Sequence, residues 1–431
     1  MREEKLNINQ AATIISVLYI NNAFFGFIKE KTILNAFCLL CMVLWVVVAS
    51  TEKGFIQNCF ETCISLIVFA SFLILVYFFT SANMSSGLWQ NLRDAFFSLI
   101  CSFLCLYILP KDERSKRSIF IFVLINILLG CIYTLYRIQE DPLLPRVLAR
   151  GSVSIEKYFG ANVSTAGIIT YGGIYGMALI FPTFLYWISQ RKGQKKLIPI
   201  IISIVIIVTI FKAQFAIALI FLIVSIILYL ILCGNQSRYR VVFSAIFIMI
   251  TFIIAINIDN ILYDIHSANI LPSALQQKVH ELLLYSENSN LSGTNLYSRS
   301  TYYVKSFEAI VQNNFVGRVF SNNAHGGGHS EWEDMAANYG IIAPILVYFF
   351  FFKFTKKIST YLKNKAIIVY RIQLLMFLMI GFIDPIFQSR IMSYLIFLSP
   401  LMLTMNSTFH SNNPNVVGSV NKSKYIRHAN S

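Results

Sequence analysis

The sequence predicts an all-α, polytopic integral membrane protein with about twelve transmembrane helices and a large extracytoplasmic loop that contains short helices. Three observations predict this fold. Of the 431 residues, 56% are hydrophobic and 13% are charged, whereas soluble domains carry about 25% charged residues. The apolar residues form runs long enough to cross about 30 Å of hydrocarbon. Lys and Arg, which give the chain a net charge of +15, lie mainly in short clusters between those runs.

The apolar runs define the predicted membrane spans. They lie near 11–28, 33–49, 62–80, 95–109, 118–136, 165–188, 197–211, 213–233, 241–257, 337–354, 366–382 and 389–406. The predicted divisions of the chain are a bundle of spans one to nine over 1–257 with an outer loop at 137–164, the large outer loop at 258–336, spans ten to twelve over 337–406, and a tail at 407–431.

The basic clusters predict the orientation, because cytoplasmic loops carry an excess of Lys and Arg. Placing the cluster at 111–117 in the cytoplasm and alternating outward assigns the remaining clusters to the same side. These lie at 191–196, 238–240, 353–371 and 422–427. Both termini are then cytoplasmic, and we interpret the basic residues as topology signals rather than as a surface for nucleic acid.

The large outer loop is too long to be a simple connection, and long loops usually carry function. Its segments 273–287 and 298–314 have apolar residues at three- and four-residue spacing, as surface helices do. We expect these two helices to lie along the membrane face, over the cavity of the bundle.

A polar stretch just before the tenth span is the first candidate site. It contains His325, Gly326, Gly327, Gly328, His329, Glu331, Glu333 and Asp334. The glycines allow the backbone to approach a ligand closely. The two histidines stand four residues apart, but the glycines between them disfavour the helix that an HExxH zinc site needs. We therefore predict no metal and no cofactor, and a purely structural histidine pair stays an alternative.

Arginines in the outer loops are the second candidate group. They are Arg137, Arg146 and Arg150 in the first loop and Arg299 and Arg318 in the second. The second loop has four Lys and Arg against eight Asp and Glu, so it is not a polybasic surface. Arginine binds phosphate through paired hydrogen bonds, so converging arginines can hold a lipid-linked diphosphate. The alternative is that each one pairs with a loop acid or a lipid headgroup.

Two further polar residues lie near the outer ends of predicted spans. Lys212, between spans seven and eight, either reaches the membrane interface with its long side chain or contributes to the same site. Asp384, in the last outer turn, either neutralises Arg390 or lines the same cavity.

The segment from Arg299 to the tenth span resembles the superfamily of O-antigen polymerases and O-antigen ligases. The shared elements are Arg299 opening a helix in the large loop, the turn NNFVGRVF (313–320), and a histidine followed by an acidic helix start and a GIIG-like end, here HSEWEDMAANYGIIAPI (329–345). Asn314 stands where the family usually has Pro, and Ala343 where it has Gly.

The resemblance implies a metal-independent glycosyl transfer on the periplasmic face of a bacterial inner membrane, with polyprenyl-diphosphate-linked oligosaccharide as donor. It implies that Arg299 binds the diphosphate, with help from Arg137, Arg146, Arg150, Arg318 or Lys212. It also implies that His329, or else His325, is the general base and that Glu331 orients it. A protein that controls chain length is an implied partner. A polymerase is favoured over a ligase, and a flippase without catalysis is the alternative from another class.

Overall fold

The computed structural model describes residues 43–51, 53–79, 85–110, 113–141, 144–149, 168–169, 171–191, 193–233, 257–269, 271–286, 295–321, 326–387 and 390–408, together with Leu40 and Met249. The main helices are α1 (Phe55–Phe79), α2 (Ser85–Ile108), α3 (Glu113–Glu140), α4 (Leu144–Ala149), α5 (Tyr171–Gln190), α6 (Leu197–Lys212), α7 (Ala216–Cys233), α8 (Ile258–Ala268), α9 (Ser273–Ser286), α10 (Asn295–Gln312), α11 (Arg318–Ser321), α12 (Glu331–Tyr339), α13 (Ile342–Ile358), α14 (Asn364–Ile380) and α15 (Arg390–Thr408). No strand occurs in these ranges, which confirms the helical prediction for the described part of the chain.

Four of the described helices are long and apolar enough to cross a membrane. They span Phe55–Phe78, Asn91–Ile108, Tyr171–Gln190 and Ala216–Cys233, and they overlap predicted spans three, four, six and eight. The helices Leu197–Lys212 and Ile391–Thr404 are apolar but shorter. The total of twelve spans stays a prediction, and the predicted spans near 11–28, 33–49 and 241–257 lie wholly or largely outside the described residues.

Helix α5 is the centre of the bundle and packs against α6, α7, α14 and α15. Small residues permit the close approach of α15. A Cβ atom on Gly176 would lie 2.7 Å from Leu395 Cδ1, so a larger residue at 176 would require the Leu395 side chain to shift. Close packing through small residues is typical of helix pairs in membranes.

The tenth predicted span is broken at its start. The sequence predicts a span from 337, but residues 331–339 form the separate helix α12, and α13 begins at Ile342. Gly340, which has a φ of +84°, ends α12. The predicted boundary between loop and span, at 336/337, therefore falls inside α12. This short helix packs against α10 and α13, and α13 packs against α1.

The turn between α10 and α11 crosses the turn between α12 and α13 with their backbones in contact. Ile341 N donates to Phe315 O at 3.0 Å. A Cβ atom on Gly317, whose φ is +94°, would lie 2.3 Å from Gly340 N. The segments NNFVG (313–317) and NYGIIA (338–343) therefore meet at this crossing, and the contact holds α10 against α12.

We expect Gly317→Ala to destabilise the protein more than Gly54→Ala. Both glycines have positive φ, which costs other residues roughly 1–3 kcal/mol. A Cβ atom on Gly54 (φ +82°) would have no neighbour within 4 Å, whereas a Cβ atom on Gly317 would clash with the backbone of Gly340. Thermal unfolding in detergent measures both variants. Equal losses in the two would show that the crossing tolerates a side chain.

Candidate functional site

Arg299 on α10 and Asp384 in the turn between α14 and α15 form the centre of a charged cluster. Arg299 Nη2 lies 3.3 Å from Asp384 Oδ1, and Nη1 donates to Ile383 O at 3.2 Å. Asp384 Oδ2 accepts from the Tyr175 hydroxyl at 3.0 Å. The Arg299 side chain is 32% exposed. One edge of the guanidinium is thus held by the protein, while the side chain still reaches solvent.

Asp384 lies in the turn between α14 and α15. Its side chain is 12% exposed. Burial raises the pKa of Asp384 above its ordinary value of 3.8, while Arg299 and the Tyr175 hydroxyl lower it by favouring the carboxylate. The sequence left open whether Asp384 neutralises Arg390 or lines the same cavity. Asp384 pairs with Arg299, which is 85 residues away, and the Arg390 side chain lies outside the described residues.

His329 belongs to the same cluster. Its ring packs on Tyr302 with 4.3 Å between ring centroids. Burial lowers the pKa of His329 from its ordinary value of 6.5, Arg299 lowers it further, and Asp384 and Asp334 raise it. An imidazole in this setting is mostly neutral at pH 7 and can accept a proton.

Asp334 shapes the glycine turn that carries His329. Its Oδ1 accepts from the Ser306 hydroxyl at 2.7 Å and from Gly328 N at 3.1 Å, and its Oδ2 accepts from Ser330 N at 3.0 Å. Ser306 Oγ also accepts from Gly327 N at 2.8 Å. These bonds tie the turn to α10, the helix that carries Arg299. They therefore hold Arg299 and His329 in fixed positions relative to each other.

The glycines of this turn are needed for close approach. A Cβ atom on Gly327 would lie 2.4 Å from Tyr302 O, and one on Gly326 would lie 2.4 Å from Asp334 Oδ1. The sequence predicts that these glycines let the backbone approach a ligand. In the structure, Gly326 and Gly327 bring the backbone against Asp334 and α10.

Glu331 is buried at the start of α12, and its Oε2 accepts from Phe387 N at 3.1 Å. Burial raises the pKa of Glu331 to about 7, with a further increase from Asp94 and Asp334. The role predicted for Glu331, orienting His329, stays a prediction. Within the described residues Glu331 makes no hydrogen bond to His329, and the carboxylates that act on the imidazole are Asp384 and Asp334.

We expect the protein to lose stability as the pH rises from about 4.5 to about 7, because the folded state then holds a proton on Glu331 that the unfolded chain releases. Above pH 7 this loss is complete. Glu331→Gln should flatten the stability profile in that window, and Glu308→Gln, an exposed carboxylate on α10, should not. Thermal unfolding in detergent between pH 4.5 and 8 measures both; an unchanged slope in Glu331→Gln would assign the effect elsewhere.

A cavity of about 210 Å³ borders the glycine turn on the side of α1 and α2. Polar groups on its wall come from Asn91, Ser330, Glu331, Asp334 and Asn338, and aromatic rings from Phe69, Tyr339 and Phe387. Asn91 Nδ2 donates to the Tyr339 hydroxyl at 2.6 Å. A wall that combines rings with amide and carboxyl groups suits a ligand with apolar faces and hydroxyl edges.

Three other predicted ligands, Arg137, Arg318 and Lys212, make no described contact with the cluster. Arg137 pairs with Glu140 at 2.8 Å at the end of α3, Arg318 opens α11, and Lys212 is exposed at the end of α6. In the described part of the chain, no hydrogen bond or ion pair links these three to Arg299 or His329. Arg146 lies in α4 with its side chain undescribed, and Arg150 and His325 lie outside the described residues.

The described residues contain no group of three His, Cys, Asp or Glu side chains that could hold a metal ion. Six of the eight cysteines are described, and all six are free and buried. Cys38 and Cys41 lie outside the described residues.

Three residues of the cluster were not among the predicted ligands: Asp384, Asp334 and Ser306. Asp384 carried a partial signal, because a carboxylate beside a membrane span is costly unless it is paired. Asp334 stood in the polar stretch before the tenth span but had no assigned role, and Ser306 carried no signal, since both act through hydrogen bonds to a turn that only the folded chain forms.

Comparison with known proteins adds no assignment. No family model matches the chain, and no curated protein matches it significantly.

Proposed function

We propose that the chain is an O-antigen polymerase, a twelve-span inner-membrane glycosyltransferase with both termini in the cytoplasm. It would join polyprenyl-diphosphate-linked oligosaccharide repeat units on the periplasmic face. One observation carries the proposal: Arg299 and His329, which the resemblance names as phosphate ligand and base, lie in one cluster with Asp384 between helices of distant sequence. The proposal that the substrate is linked to a lipid is supported by the position of the cluster, because Asp384 bonds to Tyr175 on a membrane-length helix.

Arg299 would stabilise the leaving group. The acceptor hydroxyl oxygen attacks the anomeric carbon of the donor sugar, and the bond from that carbon to the diphosphate oxygen breaks. The electron pair leaves with the diphosphate, whose growing negative charge a fixed guanidinium stabilises. Asp384 and Ile383 O hold one edge of Arg299, which reduces the entropy lost when the other donors bind phosphate.

His329 would take the proton of the acceptor hydroxyl. Its lowered pKa keeps the imidazole neutral near pH 7, as a general base requires. Asp334 and Asp384 favour the imidazolium that forms during transfer. The cavity beside the glycine turn would receive a sugar of the acceptor. The aromatic rings of the wall would lie against the faces of the sugar, and Asn91 and Glu331 would lie near its hydroxyl groups. A chain-length regulator as partner rests on the resemblance alone.

The lipopolysaccharide of a deletion strain tests the proposal. A silver-stained gel should show core plus a single repeat in the deletion, and a ladder after complementation with the wild-type gene. Loss of every repeat from the core would indicate a ligase instead. If no repeat units reach the periplasmic face, as detected on the lipid carrier in spheroplasts, the chain is a flippase; an intact ladder without the gene overturns the proposal altogether.

A further inference from the structure

Helix α10 has three distinct faces. Residues that are buried or half-buried against the bundle include Arg299, Tyr302, Ser306, Ala309 and Asn313. Over 304–312 the exposed residues divide in two, whereas nearer the start of α10 the exposed residues are Tyr297, Ser298 and Ser300. Val304 is 55%, Phe307 66% and Val311 46% exposed, and at 3.6 residues per turn these three lie within about 60° of one another. Lys305, Glu308 and Gln312 are exposed on a neighbouring polar stripe.

The apolar stripe continues past the end of the helix. Phe315, Val316 and Phe320 are 51%, 52% and 66% exposed. We call the set Val304, Phe307, Val311, Phe315, Val316 and Phe320 the α10 stripe. Phe315 is bonded through its backbone to Ile341, at the start of α13, where Ile342 is 68% exposed.

The far end of the α10 stripe lies at membrane depth. The ring of Phe320 is 6.1 Å from that of Phe72. Phe72 lies in the membrane-length helix Phe55–Phe78, six residues before its end, which is about 9 Å along the helix axis. Phe320 therefore lies beside α1 about 9 Å before the end of that membrane-length helix, and around a helix that spans the membrane an exposed phenylalanine at that level would face hydrocarbon.

We infer that α10 is an interfacial helix whose α10 stripe is embedded in the acyl chains of one membrane leaflet, with Lys305, Glu308 and Gln312 facing water. An exposed apolar stripe beside a polar one is the pattern of helices that lie in the membrane plane, and its continuity with α1 and α13 selects lipid as the occupant. The consequence concerns access: Arg299 and His329, on and beside the same helix, are held next to this leaflet, where they can meet a lipid that enters from it. This inference does not depend on the reaction proposed above.

Site-directed spin labelling tests the inference in full-length protein in phospholipid nanodiscs. Phe307→Cys and Val311→Cys report the stripe, and Glu308→Cys, next to Phe307 in sequence but about 100° away around the helix, is the matched control. Unmutated protein gives the labelling background of the native cysteines. We expect the ratio of collision rates with oxygen to those with a water-soluble nickel chelate to be several-fold higher at both stripe positions than at Glu308.

Equal, water-like ratios at the three positions would overturn the inference, because α10 would then lie free of the membrane. Low accessibility to both reagents at Phe307 and Val311 would also overturn it, since another protein surface would then cover the stripe. A stripe position that fails to give folded, monodisperse protein is replaced by the other, so that one comparison with Glu308→Cys is always made.

Discussion

Replacing Arg299 by Ala is expected to lower glycosyl transfer by roughly 100- to 1000-fold, the loss typical of removing one fixed donor to a developing negative charge. The substitution removes the positive charge and every guanidinium donor, including those held by Asp384 and Ile383 O. Transfer is measured in proteoliposomes with lipid-linked repeat units. Arg299→Lys should restore only part of the activity, because an ammonium keeps the charge but cannot hold the Asp384 edge and a phosphate in one plane.

The loss could instead come from misfolding, because Arg299→Ala also leaves the buried carboxylate of Asp384 without its ion pair. The double variant Arg299→Ala/Asp384→Asn separates the two causes. It should recover thermal stability, since the amide carries no charge, and should stay inactive. If activity returned together with stability, Arg299 would be a structural partner of Asp384 and not a phosphate ligand.

The rate of transfer is expected to rise with pH along a limb whose midpoint lies below 6.5, because burial and Arg299 lower the pKa of His329. Below that midpoint the imidazole is protonated and cannot act as a base. His329→Gln should lower the rate by roughly 100- to 10,000-fold at neutral pH and abolish the limb. The profile is best measured in Glu331→Gln protein, since Glu331 titrates at about 7.

Tyr302 provides the matched test of that limb. Its ring covers His329, and burial is the largest cause of the lowered pKa. Tyr302→Ala should expose the imidazole and move the midpoint up toward 6.5, whereas Tyr302→Phe keeps the ring and should leave it in place. An identical midpoint in both variants would show that the limb reports a group other than His329.

Much of the helical fold is predictable from residue type alone. The apolar runs near 62–80, 95–109, 165–188 and 213–233 correspond to membrane-length helices, because length and hydropathy are local properties. The position at which the tenth span starts cannot be predicted from local residue type. Helix α12 ends at Gly340 because its backbone packs on Gly317, and that contact joins two turns that hydropathy treats as separate.

The candidate site divides in the same way. The sequence identifies Arg299 as a cation in an acidic loop, and His329 and Glu331 as members of a dense polar stretch just before an apolar span. Their partners follow no spacing rule: Arg299 meets Asp384 across 85 residues, and Glu331 accepts from Phe387 N across 56 residues.

The sequence by itself determined that this protein is helical, that several of its helices have the length and apolarity to cross a membrane, and which polar residues stand out against that background. Only the tertiary structure decided which of them meet. The pairing of Arg299 with Asp384, the Asp334 bonds that hold the glycine turn, and the exposed stripe of α10 all depend on how α10, α12 and the α14–α15 turn pack. Hydrophobicity dictates which surfaces are buried, but it is non-directional, whereas the geometry of helix packing selects the partners of each charged group.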